Sequence, residues 1–232
     1  ELILFSERRQ ANAATEVENL IARAGFPPGA HILDLCCGIG QHSLALARRG
    51  YHVTGVDRTR FYLERATRQA TAEGLDVEFI QHDMRTFCRP DAFDATINLF
   101  TSFGYFENPD EDRQVVVNIH RSLKPGGVLV MDLMGKEVLA RIFRERDWYE
   151  QEGALILEER KLSQNWGWIE NRWILLREDR RFEVRLSHRL YSAAELAALL
   201  KDCGFIRLEV YGDMAGGPYD HTARRLVVVA RK

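Results

Sequence analysis

Nine residues constrain the fold of this chain more than any others: Ile32-Leu33-Asp34-Leu35-Cys36-Cys37-Gly38-Ile39-Gly40. The apolar run reads as a strand buried on both faces, and the two glycines allow a sharp turn into a helix. At the right distance follows Val53-Thr54-Gly55-Val56-Asp57, a second strand ending in an acid. Strand, glycine turn, helix and strand-acid together build a crevice for a nucleoside. Turns that bind phosphate carry a third glycine where this chain has Ser43, and no acid before the loop. Asp34 would repel a pyrophosphate and attract a cation, so the turn points to a cationic nucleoside rather than a dinucleotide.

Alternation continues downstream. The pattern predicts an amphipathic helix from Ala11 to Ala24 closed by Gly25, a strand from Ala30 to Leu35, and a helix from about Gly40 to Arg49. Strand Val53 to Asp57, helix Phe61 to Glu73, strands Val77 to His82 and Ala92 to Asn98, helix Asp110 to Leu123 and strand Gly127 to Met131 come next. Such order predicts an α/β fold, a doubly wound parallel sheet with helices on both faces.

From Leu155 the helical periods stop. Three runs read as strands: Leu155 to Lys161, Trp168 to Leu176 and Arg181 to Tyr191. In the last, Phe182, Val184, Leu186, His188 and Leu190 alternate with polar residues, so one face should be buried and the other wet. This predicts a small antiparallel sheet over 151–190, inserted into a Rossmann-like domain made of 1–150 and 191–232. Ser192 and Glu195 form a capping box for a helix that Gly204 closes, and Arg207 to Tyr211 and Arg225 to Ala230 end the sheet.

Composition narrows the partners. A net charge of −2 over 232 residues offers no general surface for a polyanion, so no nucleic-acid partner is expected. No apolar run approaches a membrane span and no signal peptide is visible. Cys36, Cys37, Cys88 and Cys203 lack C-x-x-C spacing, which reads as reduced thiols in the cytoplasm and no metal site. An open edge strand on the insertion could be covered by a second subunit, giving a homodimer.

Later strand ends add detail: His82-Asp83-Met84 after the third strand, Asn98-Leu99-Phe100 after the fourth, and Leu123-Lys124-Pro125-Gly126-Gly127 before the fifth. With the D-x-x-x-G-x-G turn and Asp57, these five ordered signals resemble the class I S-adenosylmethionine-dependent methyltransferases. Within that superfamily the chain looks closest to small-molecule methyltransferases, through Thr101-Ser102-Phe103-Gly104-Tyr105-Phe106 and the antiparallel insertion. The resemblance implies a seven-stranded sheet with S-adenosylmethionine as cofactor and S-adenosylhomocysteine as product. It places Asp34, Gly38 and Gly40 around the methionine part, Asp57 at the ribose, and Asp83 and Met84 at the adenine. Asn98, Leu99 and Phe100 would form the edge toward the acceptor, and Cys36 and Arg58 count among the cofactor-binding residues. Family members often carry a third glycine or a single cysteine where this chain has Ser43 and Cys36-Cys37.

In-line methyl transfer needs positioning above all, and a base only where the acceptor must lose a proton first. His188, turned inward by periodicity, and Tyr105, past the fourth strand, are the candidate catalytic residues. Tyr219 and His221 would lie at the rim, and Asp220 reads equally as a turn residue. Trp148, Trp166, Trp168 and Trp173 could line an acceptor pocket or fill the insertion's core and a dimer interface. The leading expectation is therefore methyl transfer to a small-molecule acceptor. Its rivals are an RNA or protein methyltransferase, disfavoured by Asn98-Leu99-Phe100-Thr101 in place of a Pro-Pro-aromatic run, a non-catalytic nucleoside-binding module, and a nicotinamide-dependent oxidoreductase.

Overall fold

A computed structural model describes residues 5–232, without the side chains of residues 7–9. Chain order runs α1 (Glu7–Ala24), β1 (His31–Leu35), α2 (Gln41–Ala47), β2 (His52–Asp57), α3 (Arg60–Glu73), β3 (Val77–Gln81), β4 (Phe93–Asn98), α4 (Pro109–Ser122) and β5 (Leu123–Leu133). After α5 (Lys136–Ile142) come β6 (Arg146–Gln151), β7 (Ala154–Ser163), β8 (Trp168–Arg177) and β9 (Arg180–Arg189). Helix α6 (Ala193–Asp202) then leads to β10 (Arg207–Tyr211) and β11 (Leu226–Arg231).

Seven strands form one sheet in the order β10-β11-β5-β4-β1-β2-β3. β3, β2, β1, β4 and β5 are parallel, and β11 runs antiparallel to both β5 and β10. Chain order reverses between β1 and β4, which leaves a crevice outside their carboxyl ends. Each face carries its own core. On one, Val17 and Leu20 of α1 and Leu46 of α2 pack on Ile32, Ile97 and Val130; on the other, Val115 and Ile119 of α4 and Leu196 and Leu200 of α6 pack on Leu33, Leu129 and Val228.

The small sheet is antiparallel in the order β6-β7-β8-β9. It has four strands, not three, because β6 begins at Arg146, ahead of the expected insertion. Charged Arg146, Asp147 and Glu150 hide that strand from a hydrophobicity reading. Helix α5 was also not expected, since seven residues span too few turns for a periodic signal. The alternation in β9 is real, yet Phe182 and Val184 are 54% and 49% exposed. Only the far end of that face, at His188 and Leu190, is buried, because Leu190 and Ile169 meet Leu139 of α5 there while the other end projects beyond the main body. The capping box at Ser192 and Glu195 forms as expected.

Candidate active site

At the end of β1 the backbone turns under constraint. Both Cys36 and Cys37 donate their amides to the Val56 carbonyl, at 2.7 and 3.0 Å, and Cys36 is held in the left-handed region at φ 66°. Gly38 follows at φ 56°, where a Cβ would stand 2.7 Å from the Phe5 ring. Its amide donates to Asp57 Oδ2 at 2.9 Å, and Thr59 N donates to Asp57 Oδ1 at 2.8 Å. Two backbone donors thus fix the carboxylate at the end of β2 while lone pairs remain for a ligand.

Asp34 is buried beneath this turn. Burial pushes its carboxyl above the usual range, opposed by nearby His42 and by Ser43, whose hydroxyl donates to Asp34 Oδ2 at 2.6 Å. Ser43 therefore supplies the partner that a glycine there could not. His42 Nε2 lies 2.8 Å from Glu16 Oε2 of α1, and its ring packs on Phe100 at 5.4 Å between centroids. Asp83 is engaged by Arg85, which also reaches Glu111 at 2.6 Å. Asp34, His42, Asp57, Asp83, Arg85 and Phe100 border a cavity of about 560 Å³ that also takes in Cys36, Gln41, Arg58, Tyr62, Met84, Leu99 and Tyr105.

A second cavity, of about 550 Å³, opens between this crevice and the small sheet. Phe100, Tyr105 and Leu186 line both. Phe100 and Thr101 are left-handed, at φ 56° and 60°, and Asp132 at the end of β5 holds them. Asp132 accepts from Phe100 N at 3.0 Å, and its main-chain carbonyl accepts from Thr101 N at 2.9 Å. Arg225 closes the clamp, donating from Nε to Asp132 Oδ1 at 2.7 Å and from Nη2 to Thr101 Oγ1 at 3.0 Å.

The segment carrying Tyr105 is fixed by Arg189. Its amide donates to the Gly104 carbonyl at 2.7 Å and its guanidinium to the Glu107 carbonyl at 2.8 Å and to buried Asp112 at 3.2 Å. Tyr105 packs against His188, with ring centroids 5.6 Å apart. Burial pushes His188 down to about 4, and Nδ1 of its ring has no hydrogen-bond partner. Although 41% of Tyr105 is exposed, the crowding around it pushes its phenol up to about 12. Both side chains are thus uncharged near neutral pH.

Residues 32–127 match the family model described as a methyltransferase domain. YqeM of Bacillus subtilis (strain 168) is 27% identical over 90% of this chain and 87% of its own length. The sugar N-methyltransferase KedS8 from Streptoalloteichus sp. ATCC 53650 is 25% identical, with a TM-score of 0.69 over 96% of this chain and 87% of that one. Residues 32–127 thus form a methyltransferase domain, and the fold is that of the class I S-adenosylmethionine-dependent methyltransferases. The CcbJ methyltransferase from Streptomyces caelestis has the same fold, with a TM-score of 0.83 at 20% identity over 95% of this chain and 89% of that one.

In this methyltransferase Asp34, Cys36, Gly38, Asp57, Arg58, Asp83, Met84, Leu99 and Phe100 all line the first cavity. Gly40 does not: a Cβ there would meet Ala66 and Phe79 at 2.9 Å, so this glycine lets α2 pack on α3 and β3. Asn98 is buried behind the turn, donating to the Leu35 carbonyl at 3.0 Å. Tyr105 stands between the cavities and His188 in the second only. Tyr219 donates to Glu137 at 2.8 Å, Asp220 caps its own turn through Thr222, and neither these nor His221 line either of these two cavities. Of the tryptophans, Trp173 lines the second cavity, Trp168 is buried under Arg189, Trp166 packs on Phe143, and Trp148 is exposed.

Sequence reasoning missed Glu16, His42, Asp132, Arg225, Asp112 and Arg189. Their partners lie between 26 and 124 positions away, beyond any local spacing rule. Among the described residues no group of three or more His, Cys, Asp and Glu side chains is placed to hold a metal ion, and no helix is long and apolar enough to cross a membrane.

Proposed function

We propose that this methyltransferase modifies a small organic acceptor bound in the second cavity, with S-adenosylmethionine held in the first. The observation that carries this reading is the shared wall: Phe100, Tyr105 and Leu186 border both spaces, so two ligands could meet there end to end. S-adenosylmethionine supplies an electrophilic methyl group on a sulfonium.

The donor set suits that molecule. Asp57, held by Gly38 N and Thr59 N, keeps lone pairs for a ribose diol. Asp34 offers negative charge to an ammonium or sulfonium, and such a cation would draw its raised carboxyl back toward the ionised form. The missing Cβ at Gly38 lets the Phe5 ring close over the turn at the cavity wall. Met84 provides a polarisable apolar surface for an adenine, with Asp83 beside it. Gln41 Oε1, a buried acceptor without a partner at the cavity wall, is free to take a ligand N–H.

Positioning would then supply most of the rate, on the order of 7–11 kcal/mol for two well-oriented reactants. The Asp132–Arg225 clamp and the Arg189 anchor fix Phe100 and Tyr105, and the small sheet forms the opposite wall. A cavity of this size suits a compact molecule rather than a polymer. Calorimetric titration with S-adenosylhomocysteine tests the first half, with binding at sub-millimolar concentration expected. Asp57→Ala should weaken it at least roughly tenfold by removing hydrogen bonds to a charged group; absence of binding to the native protein would sink the cofactor assignments.

A further inference from the structure

The second cavity is polarised from one side of the small sheet to the other, and this polarity bears on what can react there. Strand β9 stands beside the cofactor crevice, because Leu186 lines both cavities and His188 packs on Tyr105. Register carries the inner face across the sheet. Leu186 pairs with Asn171 of β8 and Asn171 with Arg160 of β7; Val184 pairs with Trp173, and Trp173 with Glu158. Two strand spacings put Glu158 and Arg160 roughly 10 Å from β9.

The reacting side is uncharged. Phe100, Tyr105, Met134, Leu139, Leu186, His188 and Leu190 border it, and His188 is only 8% exposed. Among the described residues that line the cavity on this side Arg225 alone is charged, and Asp132 matches its charge at 2.7 Å. On the far side the lining charges are paired with one another: Arg160 with Glu158, and Arg144 with Asp147 at 3.5 Å. Buried polar groups without charge lie between. Asn171 is buried, and the Trp173 indole N–H has no partner.

We propose that the acceptor attacks through a neutral nitrogen, an amine in its free-base form or an aza-aromatic ring, and carries a neutral hydrogen-bonding tail toward Trp173 and Asn171. This deepens the small-acceptor reading above and rests on it. A phenolate, carboxylate or enolate would face an aromatic and aliphatic wall whose one protein cation, Arg225, is already matched by Asp132, at a cost of several kcal/mol by general desolvation arguments. A neutral oxygen or carbon nucleophile would need a base, and burial keeps His188 a weak one. A neutral nitrogen needs neither. Its lone pair forms the N–CH₃ bond as the C–S bond breaks, and the bonding pair stays on sulfur, leaving a neutral thioether. Positive charge passes from sulfur to nitrogen without any charge being created. An amine then gives up its N–H proton to water, whereas a ring nitrogen remains cationic. The same wall disfavours an ammonium ion and thereby raises the free-base fraction of an amine.

Ligand-observed NMR on the protein saturated with S-adenosylhomocysteine tests this with isoquinoline, N-methylisoquinolinium and naphthoate, which share a ring size and differ in charge. Isoquinoline should bind at least roughly tenfold tighter than either ion. Its binding should be lost in Asn171→Trp, which fills the cavity, with S-adenosylhomocysteine binding kept as the sign of an intact fold. Should that variant not fold, Trp173→Phe serves instead, weakening an isoquinoline that carries a hydroxyethyl-carboxamide arm more than the bare ring. With S-adenosylmethionine present, mass spectrometry should find the methyl group on isoquinoline nitrogen and none on naphthol oxygen. Tighter binding of either ion, methylated naphthol, or no binding of any probe to a protein that holds S-adenosylhomocysteine overturns the proposal. No binding of S-adenosylhomocysteine itself overturns the reading beneath it as well.

Discussion

Replacing Asp132 by Asn tests whether the wall between the two cavities is held by a long-range ion pair. Asp132 is almost completely buried and accepts from Phe100 N, Arg225 Nε and Arg225 Nη2 at 2.7–3.0 Å. An asparagine keeps the shape but turns one oxygen into a donor and leaves the Arg225 cation unmatched. Breaking a buried pair from one side costs about 3–5 kcal/mol. The Arg225 side chain keeps 24% exposure, which places the expected loss near the lower end, about 3 kcal/mol. In a chain of this length that lowers Tm by about 6–12 °C. Freed of their clamp, Phe100 and Thr101 would leave the left-handed region, which costs about 1–2 kcal/mol per residue. The wall should therefore move, and S-adenosylhomocysteine affinity should fall with it. Thermal melts and urea titrations followed by tryptophan fluorescence, run on Asp132→Asn, Arg225→Met and the double variant, give the coupling energy. We expect the double variant to lose less than the sum of the two singles by about 1–3 kcal/mol. Additive losses, or a single loss under about 1 kcal/mol, would refute the clamp.

Three further outcomes are expected. Ser43→Ala removes the 2.6 Å hydrogen bond to Asp34, so the buried carboxyl rises further and S-adenosylhomocysteine affinity at neutral pH should drop roughly tenfold, the equivalent of about 1.5 kcal/mol; unchanged calorimetric affinity would show that Asp34 is not used. His188 should make the protein acid-sensitive. Its folded value of about 4 lies below the ordinary 6.5, so the unfolded chain takes up the proton first as pH falls. Stability that is complete above pH 6.5 is lost down to about pH 4, by about 3 kcal/mol in all, and Tm of His188→Phe should fall less between pH 7 and 5 than that of the native protein. Gly38→Ala places a methyl 2.7 Å from the Phe5 ring in a left-handed position. It should cost about 1–2 kcal/mol, and a Phe5→Ala second change should relieve the clash but not the backbone strain; full recovery of Tm would contradict the strain.

Much of the sheet is legible from local rules. A largely apolar run marks β1 because a strand buried on both faces has no polar side to show, and the glycines after β1 mark the turn because Gly38 must adopt positive φ. Asp57 and Asp83 are legible for a related reason: at the carboxyl edge of a parallel sheet, an acid after an apolar strand faces the crevice. The same rules misjudge Gly40, whose missing side chain serves the packing of α2 on α3 rather than the cavity. They miss β6 because its charged residues, Arg146 and Glu150 exposed and Asp147 at the second cavity, mask its apolar ones.

Asp34 and Ser43 show where the boundary falls. A buried acid and an absent third glycine can be read along the chain as a preference for a cation. That the serine exists to satisfy the acid appears only when α2 is wound behind β1 and brings the two within 2.6 Å. The wall at Phe100 and Tyr105 lies wholly on the tertiary side. Asp132, Arg225 and Arg189 reach it across 32 to 124 positions, and period and turn chemistry carry no information over such separations. Local sequence dictates a nucleoside crevice because backbone conformation and burial are short-range demands. The second cavity and its uncharged reacting side arise only where the small sheet, α5 and the ends of β4 and β5 meet, since the fold alone sets which distant side chains neutralise one another.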